Sequence, residues 1–186
     1  MKKTLPIALI LLCLTLFQVV SLMRDKSDVG RVNATPAAAQ TVQVLGVYFS
    51  PPAGSAQAIV RAIDESRHEI LVQAYSFTHN AIAQALARAQ ARGVSVKVLL
   101  DQKSDSGNHY VIGVLNQANI KMREDGKHAI AHNKVMVIDD EVVITGSFNF
   151  TNSAETRNAE NFLILKSADL AHEYKLQWQL HWGHSG

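Results

Sequence analysis

His132-Asn-Lys134-Val-Met-Val-Ile-Asp139-Asp-Glu-Val-Val-Ile-Thr-Gly146-Ser147-Phe-Asn149 is the stretch on which the reading of this chain turns. Its fixed positions follow the pattern H-x-K-x4-D-x6-G-S-x-N. His132 and Lys134 are two residues apart and lead into Val135, Val137 and Ile138. In a strand, side chains at i and i+2 share a face, so an imidazole and an ammonium would be presented together. Val142-Val143-Ile144 reads as a return strand, with Asp140-Glu141 as the turn. Such a hairpin brings Gly146, Ser147 and Asn149 back beside His132. A nucleophile or base, a cation, a hydroxyl and an amide would then converge, which is what phosphoryl transfer requires.

Outside the hairpin, composition sets the frame. The 186 residues are 47% hydrophobic but only 6% aromatic, which suits one α/β domain with a core of Ala, Val, Ile and Leu. The beginning of the chain is of another kind. Lys2-Lys3 precedes an apolar run from Leu5 to Val20, broken only by Pro6, Thr15 and Gln18, as in a secretory signal. Residues 1–39 are therefore expected to be a signal peptide cleaved after Ala37-Ala38-Ala39, with residues 40–186 as a periplasmic or secreted catalytic domain. The alternative is an uncleaved inner-membrane anchor over residues 5–23, followed by a polar, Ala-rich tether. The only cysteine, Cys13, falls in the apolar run, so residues 40–186 can form neither a disulfide nor a thiolate metal site. The formal charge of +2 also belongs to this leader. Of 18 basic and 16 acidic side chains, residues 1–39 hold five and two, which leaves 13 and 14, a net −1. Polyanion binding must come from a local patch.

In chain order, Thr41–Phe49 reads as a strand, and Ser55 as the cap of a helix carrying Ile59, Val60 and Ile63. Glu69–Phe77 is a second strand, followed by an Ala-rich helix that Gly93 closes. Val94–Asp101 is a third strand, Tyr110–Ala118 a helix and Ile120–Met122 a short strand. After the hairpin come a helical turn at 151–156, a strand at 160–165 and a closing helix at 168–182. Alternating signals of this kind mean α/β, with parallel pairing early and an antiparallel hairpin later.

Other polar residues are weaker candidates. His79 and His109 follow strands two and three, where α/β sites gather. His128 with Lys127 and Arg123 could form the local basic patch. His172, His181 and His184 read as solvated, and Trp178 with Trp182 as an i,i+4 pair facing the core or a partner. No His, Asp and Glu set has a spacing that demands a metal, H-E-x-x-H is absent, and Lys134 already supplies a cation. No metal and no cofactor are expected.

The complete pattern resembles the HKD motif of the phospholipase D superfamily. A chance match in a chain of this length is roughly one in 10^5 or rarer from average residue frequencies. Ala74-Tyr75-Ser76-Phe77-Thr78 and Gly146-Ser147-Phe148-Asn149-Phe150-Thr151 are similar to the short secreted bacterial endonucleases of that superfamily, and the resemblance extends over about residues 42–182. It implies a mixed, mostly parallel sheet flanked by helices on both faces. It implies phosphodiester hydrolysis through a covalent phosphohistidine on His132, with Lys134, Ser147 and Asn149 on the phosphate oxygens. It also implies that Glu160, in Asn158-Ala159-Glu160-Asn161, hydrogen-bonds and orients the histidine.

Asp139 belongs to the motif and is carried with the catalytic set. It lies seven residues from His132, roughly 23 Å along an extended strand and on the opposite face, so it reads as a structural anion near the turn, paired with a cation. The expected substrate is nucleic acid, with phospholipid headgroups as the alternative and a nucleic-acid-binding protein of DNA uptake or transfer as the third reading. In-line displacement needs an acid opposite the nucleophile, yet only one His-Lys set is present. A homodimer with His132 of each subunit at the two-fold axis is therefore expected, the alternative being a monomer using His79, His109 or His128 as acid.

Overall fold

Strands β2 (Glu69–Ala74) and β3 (Ser95–Asp101) carry the near-continuous apolar runs of strands covered on both faces, and they pair in parallel with Val72 opposite Val98. The computed structural model describes residues 41–186 apart from Ala53; the expected signal or anchor and Cys13 lie outside the described residues. The other strands are β1 (Gln43–Ser50), β4 (Lys121–Asp125), β5 (Lys134–Ile138), β6 (Val142–Gly146) and β7 (Glu160–Lys166). Together they form one sheet in the order β1-β7-β6-β5-β2-β3-β4. The helices are α1 (Ser55–Asp64), α2 (Asn80–Ala91), α3 (His109–Gln117), α4 (Asn152–Thr156) and α5 (Ala168–His184).

The sheet is mixed, and helices flank both faces, as expected. Its balance differs: parallel pairing is confined to β2-β3-β4, and the other four pairings are antiparallel. The reason is chain reversal. After β4 the β5–β6 hairpin and β7 run as a meander, and β1 closes that edge antiparallel to β7.

On one face Ile59 and Ile63 of α1 and Ile82 and Leu86 of α2 pack on Val72, Val98 and Met136. On the other, α5 sets Ala171 and Trp178 on Leu71, Leu99, Val137 and Val143, and the Trp178 indole N–H donates to the Val72 carbonyl at 2.9 Å. Truncating a buried anchor of this size costs about 3–5 kcal/mol. Among the described residues no helix is long and apolar enough to cross a membrane.

Three local expectations are corrected by tertiary contacts. Strand β2 stops at Ala74 rather than Phe77, because Tyr75 N–H turns to the Asn133 carbonyl at 2.9 Å and Phe77 bridges in parallel to Phe150. Ser55 does not cap α1; the Glu155 carboxylate accepts from the Gly54 and Ala56 amides instead. The β5–β6 turn sits one residue early, with Asp139 and Asp140 at φ 54° and 56° and Glu141 N–H donating to the Ile138 carbonyl. Asp is among the few residues other than Gly that accept this left-handed backbone readily.

Candidate active site

The sheet register gathers the motif at one end. Lys134 opens β5 opposite Ala74 at the end of β2, Gly146 ends β6 opposite Phe162, and Glu160 opens β7 opposite Ser50 at the end of β1. Gly146 cannot carry a side chain, since a Cβ there would collide with the Asn161 carbonyl and Phe162 Cα. That close approach seats Ser147 on β7. Ser147 N–H donates to the Asn161 carbonyl at 2.9 Å, and Asn161 N–H donates to Ser147 Oγ at 3.1 Å. The Ser147 hydroxyl then donates to Glu160 Oε2 at 2.6 Å, while Asn158 Nδ2 donates to Glu160 Oε1 at 3.1 Å. Both carboxylate oxygens are held.

Lys134 and His132 meet at Tyr75. The Lys134 ammonium, in a residue only 7% exposed, donates to the His132 carbonyl at 2.7 Å and lies 5.2 Å from the centre of the Tyr75 ring. The exposed His132 imidazole packs edge-on against the same ring, with centroids 4.6 Å apart. Burial pushes the Lys134 pKa below the ordinary lysine value, and the negative charge of Glu160 opposes that fall. The cation and the carboxylate thus sense each other across the site.

Phe148 and Phe150 are 2% and 1% exposed and anchor the loop that carries Ser147 and Asn149. Asn149 Oδ1 is buried and has no hydrogen-bond partner among the described residues. A concavity of about 840 Å³ lies elsewhere, near Asp139, lined by Arg61, Arg67, His68 and Glu141 and by none of the motif's His, Lys, Ser or Asn. The candidate site is an open sheet end, not a deep cavity.

The structure therefore brings His132, Lys134, Ser147, Asn149 and Glu160 to one end, with three changes to the expected detail. His132 precedes β5 instead of lying in it, so Tyr75 aligns it with Lys134 and strand periodicity does not. Glu160 is held by Ser147 and Asn158, and no hydrogen bond from it to His132 is present among the described residues. Asp139 lies past the far end of β5, away from the other five. Its carboxylate accepts from the amides of Arg67, His68 and Glu69 at 2.8, 2.8 and 3.0 Å, so backbone N–H groups replace the expected cation. Burial works against its ionisation, but the three amides outweigh burial and hold its carboxyl below the usual range.

The remaining histidines divide. His79 immediately precedes α2, its N–H donates to the Phe150 carbonyl, and burial lowers its pKa against the opposing charge of Glu155. His109 is exposed in the first turn of α3. His128 is no phosphate patch and His181 and His184 are not simply solvated: all three gather on Asp125, while Arg123 lies over the Trp182 ring. Tyr75 and Asn158, which the sequence reading left without roles, are the supports it missed. Their signal was position: Tyr75 follows the β2 carboxyl end, and Asn158 sits two residues before Glu160.

An imidazole and an ammonium thus meet on one aromatic ring, with a Ser–Glu pair at the same end of a mixed α/β sheet, an arrangement that could serve phosphoryl transfer. Residues 59–182 match the family model described as cardiolipin synthase, PLD-like domain. The chain belongs to the phospholipase D family. It is 44% identical over 130 residues to a protein named phospholipase D from Rickettsia bellii, covering 70% of this chain and 65% of that protein, just under two thirds of its length. Among solved structures it is similar to Nuc from Salmonella typhimurium, a phospholipase D family member, at 34% identity and TM-score 0.74, covering 78% of this chain and 96% of the other. NucT from Helicobacter pylori matches at 25% identity and TM-score 0.69, covering 78% and 98%.

Proposed function

We propose that this chain is a phosphodiesterase, a nonspecific endonuclease on DNA or RNA that works through a phosphohistidine on His132. The observation that carries the reading is the pairing of His132 and Lys134 on Tyr75 at an open sheet end, where a polymer backbone has access. In the proposed reaction the neutral His132 nitrogen bonds to phosphorus as the bond to the leaving oxygen breaks. Lys134, the Ser147 hydroxyl and Asn149 Nδ2 stabilise the non-bridging oxygens. Charge compensation by Lys134 makes the chemistry independent of metal, and residues 1–39 fit export to a periplasmic or secreted location.

Support for a nucleic-acid substrate comes from near-complete coverage of Nuc, 96% of its chain, against 65% of the protein named phospholipase D. Hydrolysis of phospholipid headgroups is the second reading, favoured by the names of those relatives. Activity gels cast with DNA, run beside headgroup release from phosphatidylcholine vesicles, separate the two. DNA clearing that disappears in His132→Asn, without headgroup release, supports the nuclease; the reverse pattern overturns it.

The acid that protonates the leaving oxygen is proposed to be His132 of a second subunit, so that the two sites are shared across a C2 interface. Support comes from the edge strand. Val44, Val47 and Phe49 of β1 lie opposite Leu165, Leu163 and Asn161, and so on one face across the bulge between Val44 and Gly46, and are 55, 54 and 66% exposed. This apolar row ends beside Ser50 and Asn161, next to Glu160, so covering it with a second copy would bring the sites close.

A further inference from the structure

Away from the candidate site, four side chains from two segments point at one place. Asp125 ends β4 with its side chain fully buried, at 0% exposed. His128 follows it by three residues, and His181 and His184 are one turn apart on α5. His128 Nδ1 and His181 Nδ1 both lie on the same Asp125 oxygen, Oδ2, at 3.0 and 2.6 Å, and His184 Nε2 is 3.4 Å from Oδ1. One donor atom from each residue fits within 4.8 Å of all the others.

We propose that Asp125, His128, His181 and His184 form a Zn²⁺-type metal site that ties the end of α5 to β4 and to the segment leading into His132. Three imidazoles and a carboxylate are the N/O donor set that suits this ion. With metal–ligand distances of about 2.0–2.2 Å, tetrahedral donors stand roughly 3.3–3.5 Å apart, so donors that now lie within 4.8 Å of one another need to move by at most roughly 1.5 Å. A purely hydrogen-bonded cluster is the competing arrangement. It accounts for contacts to both oxygens, His128 Nδ1 lying 3.2 Å from Oδ1 as well, whereas a metal would in addition account for three imidazoles, two of them stacked 4.7 Å apart, on one buried carboxylate.

The surroundings hold the ligands in place. The Lys127 amide donates to Asp125 Oδ1 at 3.1 Å, which orients the carboxylate. Arg123 donates to the Trp182 carbonyl at 2.6 Å, and the Glu124 amide to the Gly186 carbonyl at 2.9 Å, so the end of α5 is bound to β4 between the two histidines and just beyond them. His128 is the most open of the four, at 43% side-chain exposure against 20% for His181 and 23% for His184, and marks the entry path. Only three residues separate it from His132, and the intervening Ala131 amide is held by Asp101 Oδ1 at 2.7 Å. A metal here would stiffen the segment on which His132 stands without touching the reacting atoms.

The test uses the full chain without a histidine tag, stripped with chelator and titrated with Zn²⁺ in a calorimeter. It should bind one ion per chain. At a hundredfold excess over Kd the Tm should rise by roughly 5–10 °C. Co²⁺ in place of Zn²⁺ should show the visible absorption of tetrahedral cobalt. The His181→Ala/His184→Ala double variant should lose both signals. Because it could also loosen α5, His128→Ala at the exposed rim is the second variant, expected to bind at least tenfold more weakly with an unchanged circular dichroism spectrum. No saturable Zn²⁺ or Co²⁺ uptake by the unmodified chain, or equal uptake by folded His128→Ala, would overturn the site. None of these readouts depends on phosphodiester cleavage, so the result is separate from the fate of the proposed function.

Discussion

Lys134 donates its ammonium hydrogen to the main-chain carbonyl of His132 at 2.7 Å, so the buried cation fixes the backbone that presents the exposed imidazole. The lysine thus has a structural bond as well as a charge. Its side chain is nevertheless desolvated, and an apolar replacement of similar length should be tolerated by the fold.

Lys134→Met should therefore leave Tm within about 1–2 °C of the parent, or raise it, while turnover falls on the order of 10^2-fold or more. Thermal melts and initial rates on the same preparation check this. A proportional loss of both would mean that the lysine serves the fold and not the chemistry.

His132→Asn should abolish cleavage without affecting folding, since the exposed ring contributes one edge contact to Tyr75. Ordinary activity in a preparation shown free of host nuclease would refute the phosphohistidine route. In the parent enzyme, EDTA should leave the initial rate at 25 °C largely intact, even where it lowers Tm by emptying the Asp125 cluster.

Glu160 acts on Lys134 through charge. It opposes the burial that lowers the lysine pKa, so Glu160→Gln removes a raising influence. Lys134 should then lose its proton at lower pH, and the alkaline limb of the kcat profile should move down in pH. An unmoved limb with a reduced rate would assign Glu160 to positioning Ser147 alone.

Asp139 should govern stability instead of rate. Its folded pKa is depressed, so its contribution is present above the unfolded value near 3.9 and is lost as pH falls through the folded value. Asp139→Asn should cost about 1–3 kcal/mol at pH 7, toward the lower end because the residue is partly exposed, and the gap to the parent should close below about pH 4. Denaturant midpoints at several pH values test this, with kcat expected to be unchanged.

Light scattering on the catalytic region should give twice the chain mass. Val47→Asp with Phe49→Asp should shift the species toward monomer and reduce cleavage in step, because each places a charge in the exposed β1 row. A monomer fully active at nanomolar concentration would exclude the shared site.

The sequence by itself determined the hairpin and the motif it carries. Val135–Ile138 and Val142–Ile144 are β-branched runs separated by residues that accept a turn, and those preferences act over a few positions. The same local information placed helices at 151–156 and 168–182, and in the structure the Thr151 and Ser167 hydroxyls cap them, each accepting from the amide three residues on. Gly146 was legible as a fixed motif position, although its reason, the approach of β7, was not.

Tertiary structure decided the rest, because those relations join residues whose separation carries no periodic signal. Glu155 caps a helix 99 positions earlier, and Asp139 clamps amides about 70 positions away. His181 reaches Asp125 across 56 positions, so a histidine that looks solvated on its own helix becomes one of four convergent donors. Parallel and antiparallel partners present the same local pattern, so the preponderance of antiparallel pairing emerged only from the register. Propensity acts along the chain, whereas packing and charge act through space, and the placement of His132 against Tyr75 belongs to the second kind.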